Sequence, residues 1–230
     1  MIKKEELVIQ ITIDGPAGAG KSTIAKKLAD KLRFLYIDTG AMYRAITYTA
    51  LQQGIPLDDE AALAKLTTSV NLDMVQQKEA KPKIYCNDLD LTLAIREPLV
   101  SRHVSQVAAH GLVRQELVKL QRKLAQKNNV VMDGRDAGTV VLPNADCKIF
   151  LTASLKERAR RRCLELNAGG HRHTLEMVKA DLARRDTYDQ NRKASPLIPA
   201  TDAVIIDTTF LTPAEVVQKI LDLIKEKESD

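Results

Sequence analysis

Residues Gly15, Pro16, Ala17, Gly18, Ala19, Gly20, Lys21 and Ser22 form one run, with a second hydroxyl at Thr23. Glycines at this spacing let successive backbone N–H groups turn inward and approach an anion closely. A helix beginning at Lys21 would add the partial positive charge of its N-terminus. The run satisfies G-x-x-x-x-G-K-[ST], a cradle for the phosphates of a nucleoside triphosphate in which the lysine bridges the outer phosphates and the serine hydroxyl ligates Mg²⁺. Thr23, one residue further along, is expected against the innermost phosphate. Lys21 is the first candidate for a catalytic cation.

Three further groupings combine arginine with aspartate. They are Asp38-Thr39-Gly40-Ala41-Met42-Tyr43-Arg44, then Asp133-Gly134-Arg135-Asp136, and Arg184 to Arg192, which reads RRDTYDQNR. Taken singly, each has an ordinary reading: Arg135 and Asp136 pair with each other, Tyr43 sits in a core, and the third run is a solvated helix end. Jointly they suit phosphoryl transfer, which needs several cations around two phosphate groups and carboxylates to order Mg²⁺. Arg44, Arg135, Arg185 and Arg192 could form that clamp. Asp14 or Asp136 is expected to order the metal with Ser22, through water if not directly.

The chemistry needs a frame that brings these segments to one edge. Leu7 to Asp14 is an apolar, β-branched run ending at the glycines, and FLYID, VVMD, KIFLT and AVIID follow later in the chain. Each is continuous rather than alternating, as a parallel strand covered on both faces must be. Ile24, Ala25, Leu28, Ala29 and Leu32 recur at helical spacing after the first strand, and other helical patterns separate the rest, one of them breaking near Gly111. The expected fold is α/β, a doubly wound parallel sheet of about five strands. Ligands bind at the carboxyl ends of such strands.

Two stretches interrupt the alternation. Between about residues 69 and 92, short alternating pieces flank Asn87-Asp88 and predict a small antiparallel insert. NAGGHRH, Asn167 to His173, predicts a loop with a hinge at Gly169-Gly170. Near the end, Thr212, Pro213 and Glu215 form a helix start in which the threonine caps and the glutamate reaches back.

The chain has 230 residues, a 44% hydrophobic fraction and a net charge of +5. Disorder, collagen and coiled coil are excluded by composition, and no apolar run approaches the length of a membrane span. Lys156 to Lys193 contains 11 Lys and Arg against 6 Asp and Glu, so the positive surplus is concentrated in one segment. That points to a polyanion. With no Trp, 3 Phe and 5 Tyr, a stacking platform for single-stranded nucleic acid is poorly supplied. Cys86, Cys147 and Cys163 fit neither a disulfide framework nor zinc spacing, which suggests reduced thiols in a cytoplasmic protein. His171 and His173 lack a third ligand at zinc-like spacing.

GPAGAGKST, DTGAMYRA, DGRDAGTVV, RRDTYDQNR and PLIPATDAVIIDTT together resemble the bacterial cytidylate kinase family of P-loop nucleoside monophosphate kinases, over about residues 9 to 224. The resemblance implies transfer of the γ-phosphoryl group of ATP to CMP and dCMP. It implies a core of about 1–38, 107–155 and 195–230, a monophosphate-binding part of about 39–106 carrying the insert, and a basic lid of about 156–194. Residues 15–23 would hold ATP. Thr39, Tyr43, Arg44, Arg135 and Arg192 would surround the CMP phosphate, with Arg135 and Arg192 aiding Lys21 in catalysis. Ser105, Arg114 and Asp136 would read the cytosine edge, and Arg185 and Asp189 the ribose. Arg158, Arg161 and Arg162 would belong to the lid over ATP.

Base chemistry agrees with that assignment, since a carboxylate suits the cytosine amino group and an arginine its acceptors. A monomer is expected, because a kinase that closes over two nucleotides completes its own site. The rivals are a kinase for another small acceptor and a P-loop switch or nucleic-acid-binding NTPase. A GTPase is excluded by the lack of N-K-x-D.

Overall fold

The computed structural model of the protein describes residues 8–77, 82–168 and 172–229. The expected hinge at Gly169-Gly170, together with His171, lies outside the described residues. In chain order the elements are β1 (Gln10–Asp14), α1 (Lys21–Leu32), β2 (Leu35–Asp38), α2 (Thr39–Gln52), α3 (Glu60–Ser69), β3 (Leu72–Val75), β4 (Lys83–Cys86), β5 (Leu89–Asp90), α4 (Pro98–Val107), α5 (Gly111–Ala125), β6 (Val130–Asp133), β7 (Cys147–Thr152), α6 (Leu155–Ala168), α7 (Leu175–Asn191), β8 (Val204–Asp207) and α8 (Pro213–Ser229).

Five strands form one sheet in the order β2-β6-β1-β7-β8, and every neighbouring pair is parallel. The run of buried residues along β1 and β6 follows from helices covering both faces. Ile11, Ile13, Ile24, Leu28, Ile149, Leu151, Val217 and Ile220 fill the core between the sheet, α1 and α8. Ile37, Val118, Val130, Met132 and Val141 fill another around β6 and α5. The parallel register aligns Asp38 with Asp133, and Ile13 with Asp133. Three aspartates, Asp14, Asp38 and Asp133, therefore end adjacent strands at one edge, directly under the glycine loop.

The insert is the antiparallel sheet β3-β4-β5. Its turn sits where the sequence predicted: Asn87 and Asp88 both have left-handed backbones, φ 49° and 65°, the conformation a two-residue hairpin of the primed type requires. The final strand is shorter than the LDLT pattern suggested, because Thr92 turns its hydroxyl back to accept from the N–H of Ile84. Leu72, Ile84 and Cys86 pack with Ala41, Ile46, Leu63, Val104, Val113 and Leu117, so the insert shares a core with α2 to α5. The break near Gly111 falls between α4 and α5.

At the start of α8, Thr212 Oγ1 accepts from the N–H of Glu215 at 3.3 Å, and Glu215 Oε2 accepts from the N–H of Thr212 at 2.7 Å. Removing an N-terminal cap costs about 1 kcal/mol. Thr212→Ala is expected to lower the free energy of unfolding in urea by about that amount; an unmoved denaturation midpoint contradicts the capping account.

Candidate active site

Gly15 has φ 144°, and a Cβ built there would lie 2.0 Å from the carbonyl oxygen of Leu151 on β7. Only glycine lets the chain leave β1 so close to its neighbour. Gly18 (φ 79°) and Gly20 (φ 91°) complete the loop. Lys21, the first residue of α1, is buried, and its Nζ donates to the carbonyl of Pro16 at 2.8 Å. Burial and the nearby Arg135 guanidinium pull its pKa from the usual 10.5 down to about 7, against the opposing pull of Asp133 and Asp14. Ser22 and Thr23 are exposed at the helix start.

The carboxylate that meets Ser22 is Asp133, whose Oδ2 accepts from the serine hydroxyl at 2.8 Å. Its Oδ1 accepts from Tyr36 Oη at 2.8 Å, and its backbone carbonyl accepts from Thr39 Oγ1 at 2.7 Å. Burial, then Asp38, raises the pKa of Asp133 above the ordinary range. Asp14 and Asp136, the carboxylates expected to order Mg²⁺ with Ser22, are both engaged with other groups. Both oxygens of Asp14 accept backbone N–H groups, from Ala137 at 2.9 Å and Gly138 at 2.7 Å. Burial lifts Asp14 to a pKa of about 6 despite those two donors. Asp136 instead forms a buried ion pair with Arg114. The sequence signal for Asp133 is its place at the end of the continuous apolar run VVMD; its pairing with Ser22 and Tyr36 follows from strand order.

Arg135 and Asp136 do not pair with each other. Arg135 Nε donates to Asp189 Oδ2 on α7 at 3.0 Å, which brings together two segments 54 positions apart. Arg114 Nη1 donates to the carbonyl of Ala108 at 2.8 Å, and its guanidinium lies 5.1 Å from the Tyr43 ring centroid. Arg192 Nη1 reaches the same Ala108 carbonyl at 3.5 Å, and its Nη2 lies 4.0 Å from Asp136 Oδ1. Ser105 lies half-buried on α4, three residues before that carbonyl. Arg44 pairs with Asp38 at 3.1 Å. Arg185 is brought beside Arg135 and Asp189; burial, then Arg135, pulls its pKa down to about 10. Burial alone would raise Asp189, but Arg135, Arg192 and Arg185 outweigh it and hold the carboxyl below its usual range.

Tyr43 Oη, Arg44 Nε, Arg114 Nε, Arg185 Nε and Arg192 Nη2 are buried without a hydrogen-bond partner, and they make up most of the buried unpartnered side-chain atoms among the described residues. All five are potential donors. Groups of this kind are costly to bury unsatisfied, so their concentration in one site calls for an acceptor-rich ligand.

The expected lid arginines behave differently from one another. Arg158 is buried, donates to the carbonyl of Ala17 at 3.0 Å and pairs with Asp186 at 2.7 Å. Arg161 binds Thr208 through Nη1 at 3.0 Å, and the same nitrogen lies 3.9 Å from a Cβ built on Gly20. Arg162 pairs with Glu165, Arg160 with Glu157 and Arg184 with Asp181, each at 2.7 Å. Much of the basic segment's charge is thus paired within the protein rather than presented as a bare cationic surface. Among the described residues, no group of three or more His, Cys, Asp or Glu is placed to hold a metal by itself, and no helix is long and apolar enough to cross a membrane.

A glycine cradle with a buried lysine at the carboxyl edge of a parallel sheet, with Arg135 beside it, defines a P-loop α/β kinase. Two solved structures, of a Thermus thermophilus protein and of an uncharacterized protein from Eubacterium ventriosum, share the fold. They are 17% and 12% identical, with TM-scores of 0.50 and 0.51, over 96% and 94% of this chain and 98% of each of theirs. The family profile described as Cytidylate kinase matches residues 11–226. The cytidylate kinase of Desulfitobacterium hafniense is 54% identical over 95% of this chain and 94% of its own, and that of Bacillus subtilis is 50% identical over 96% and 99%. The chain belongs to the cytidylate kinase family.

Because Arg135 helps depress the pKa of Lys21, Arg135→Gln is expected to raise it, read by NMR titration of isotopically methylated lysines. The lysine binds fewer protons folded than unfolded between about pH 7 and 10.5, so its contribution to stability increases as pH rises through that window and is lost as pH falls through 7. The variant should flatten that slope. An unmoved Lys21 titration overturns the assignment of Arg135 as its neighbouring charge.

Proposed function

We propose that this protein transfers the γ-phosphoryl group of ATP to CMP and dCMP, giving ADP with CDP or dCDP, as a cytoplasmic monomer. The observation that carries the reading is the group of buried, unpartnered donors on Tyr43, Arg44, Arg114, Arg185 and Arg192, together with Arg135 beside the buried lysine of the glycine loop. Two phosphate-bearing ligands meeting there would satisfy them.

ATP would lie along residues 15–23, with its outer phosphates on the loop amides and Lys21 and with Arg158 and Arg161 closing from α6. CMP would place its phosphate among Thr39, Arg44, Arg135 and Arg192, beside Tyr43, and its ribose at Arg185 and Asp189. Contacts from Arg185 and Asp189 would hold the sugar of either CMP or dCMP. Its base would meet Asp136, Arg114 and Ser105, exchanging contacts the first two now make with each other and with Ala108. Asp136 is already an acceptor held by an arginine, which suits the amino group of cytosine and meets uracil's O4 unfavourably.

Ser22 and Asp133 fit Mg²⁺ better than Asp14 or Asp136. Mg²⁺ takes few protein oxygens and completes its shell with phosphate and water, so a hydroxyl and one carboxylate at 2.8 Å are a suitable set. When bound, the ion neutralises charge shared by the β- and γ-phosphates. The acceptor needs no protein base, because a nucleotide phosphate is already largely ionised near pH 7. The side chains therefore act by position and charge. Lys21, Arg135 and Arg192 hold donor and acceptor phosphates against their mutual repulsion and stabilise the charge that redistributes at transfer.

The direct test is ADP formation with CMP, dCMP, UMP, AMP or RNA as the second substrate. Strong dependence on CMP and dCMP is expected; equal stimulation by RNA, or ATP hydrolysis indifferent to CMP, overturns the reading in favour of an NTPase. Lys21→Ala should lower kcat by about 100-fold or more, in the range found for removal of one preorganised charge-stabilising group, while the fold still melts cooperatively. A near wild-type rate removes Lys21 from the mechanism.

A further inference from the structure

Asp14 is a buried carboxylate that the reaction above does not use. Its two oxygens receive the N–H groups of Ala137 and Gly138, the residues directly after Arg135 and Asp136. Those N–H groups open a short π-helical turn, Ala137–Val141, where an anion is favoured. Two glycines beside it are closely packed. A Cβ at Gly134 would lie 2.8 Å from Thr39 Oγ1 and 3.4 Å from Asp14 Oδ1, and one at Gly138 would lie 2.8 Å from Thr12 Oγ1 and 3.4 Å from Asp14 Oδ2. Asp14 also immediately precedes Gly15, which is pressed against Leu151. One carboxylate thus joins the origin of the ATP loop to the turn that aims Asp136 at Arg114.

We propose that Asp14 is a positioning residue for base selection: through the amides of Ala137 and Gly138 it fixes the turn that presents the Asp136 carboxylate. The proposal rests on the reading of Asp136 as the group that meets the base. Asparagine has the shape of aspartate but offers one oxygen and one amino group, so Asp14→Asn leaves one of the two amides facing a donor. The turn then moves or loosens, and the carboxylate loses its register with the base edge. A role confined to stability would lower Tm or expression without altering the choice between bases.

The experiment compares kcat/KM for CMP and UMP in wild type, Asp14→Asn, Asp136→Asn and the double variant. Asp136→Asn is expected to narrow the CMP preference by about 5-fold or more, the lower end of the loss from a mispaired buried polar group. Asp14→Asn should narrow it in the same direction, raising KM for CMP well beyond any change in KM for ATP. The double variant should be no less selective than the lower of the two singles, because both act on one contact. An unchanged ratio in Asp14→Asn alongside a changed one in Asp136→Asn overturns the positioning role and leaves the base reading standing, as do independent, multiplying losses in the double variant. An unchanged ratio in Asp136→Asn overturns the base reading, and the positioning role with it. Should Asp14→Asn fail to fold, Gly138→Ala displaces the same amide with Asp14 intact. It is expected to narrow the ratio, with Thr12→Ala restoring it by removing the obstructing hydroxyl; no change in Gly138→Ala overturns the proposal.

Discussion

Like charges resist being gathered. Lys21, Arg114, Arg135, Arg185 and Arg192 occupy one site in this protein, and several are buried, where the repulsion between them is strongest. Its mark is visible on the ionisation of the groups themselves: Arg135 depresses Lys21 and Arg185, and Arg114 depresses Arg192 after burial has done so. The arrangement persists because carboxylates stand between the cations. Asp189 takes Arg135, Asp136 takes Arg114 and lies near Arg192, and Asp133 and Asp14 offset Lys21. The site is a lattice of alternating charge.

On the proposed reading, that lattice lets the same residues serve both folding and catalysis. A buried cation without a partner costs several kcal/mol, so the site needs internal anions when no nucleotide is present. On the same reading, ligand phosphates would replace or join those anions and satisfy donors that have no hydrogen-bond partner in the protein. Positioning of the carboxylates matters as much as that of the cations. Asp133 is held by Tyr36, Ser22 and the strand register, Asp136 by a turn clamped on Asp14, and Asp189 by its place on α7.

Much of the scaffold was legible from the chain. The five strand segments, the glycine loop before α1, the Asn87-Asp88 turn and the Thr212-Glu215 cap were all readable, because each is set by neighbours within a few residues. The site was legible as a set of residues but not as a set of contacts. Arg135 and Asp136 look like an ion pair when read along the chain, yet each bonds a partner on another element. Asp14 and Asp136 seemed the natural companions of Ser22, whereas Asp133 holds that place because β6 lies between β2 and β1 in the sheet.

Composition and order along the chain determined that this protein has a phosphate-binding loop on a parallel sheet, an antiparallel insert and a concentrated basic segment. Hydrophobic periodicity and glycine chemistry act locally, so they survive in a one-dimensional reading. Tertiary structure decided which aspartate faces which cation. Those pairings depend on strand order and on helix packing between positions as far apart as Arg135 and Asp189, and no spacing rule encodes them. The ion pairs turn a list of arginines and aspartates into one site that keeps donors without partners.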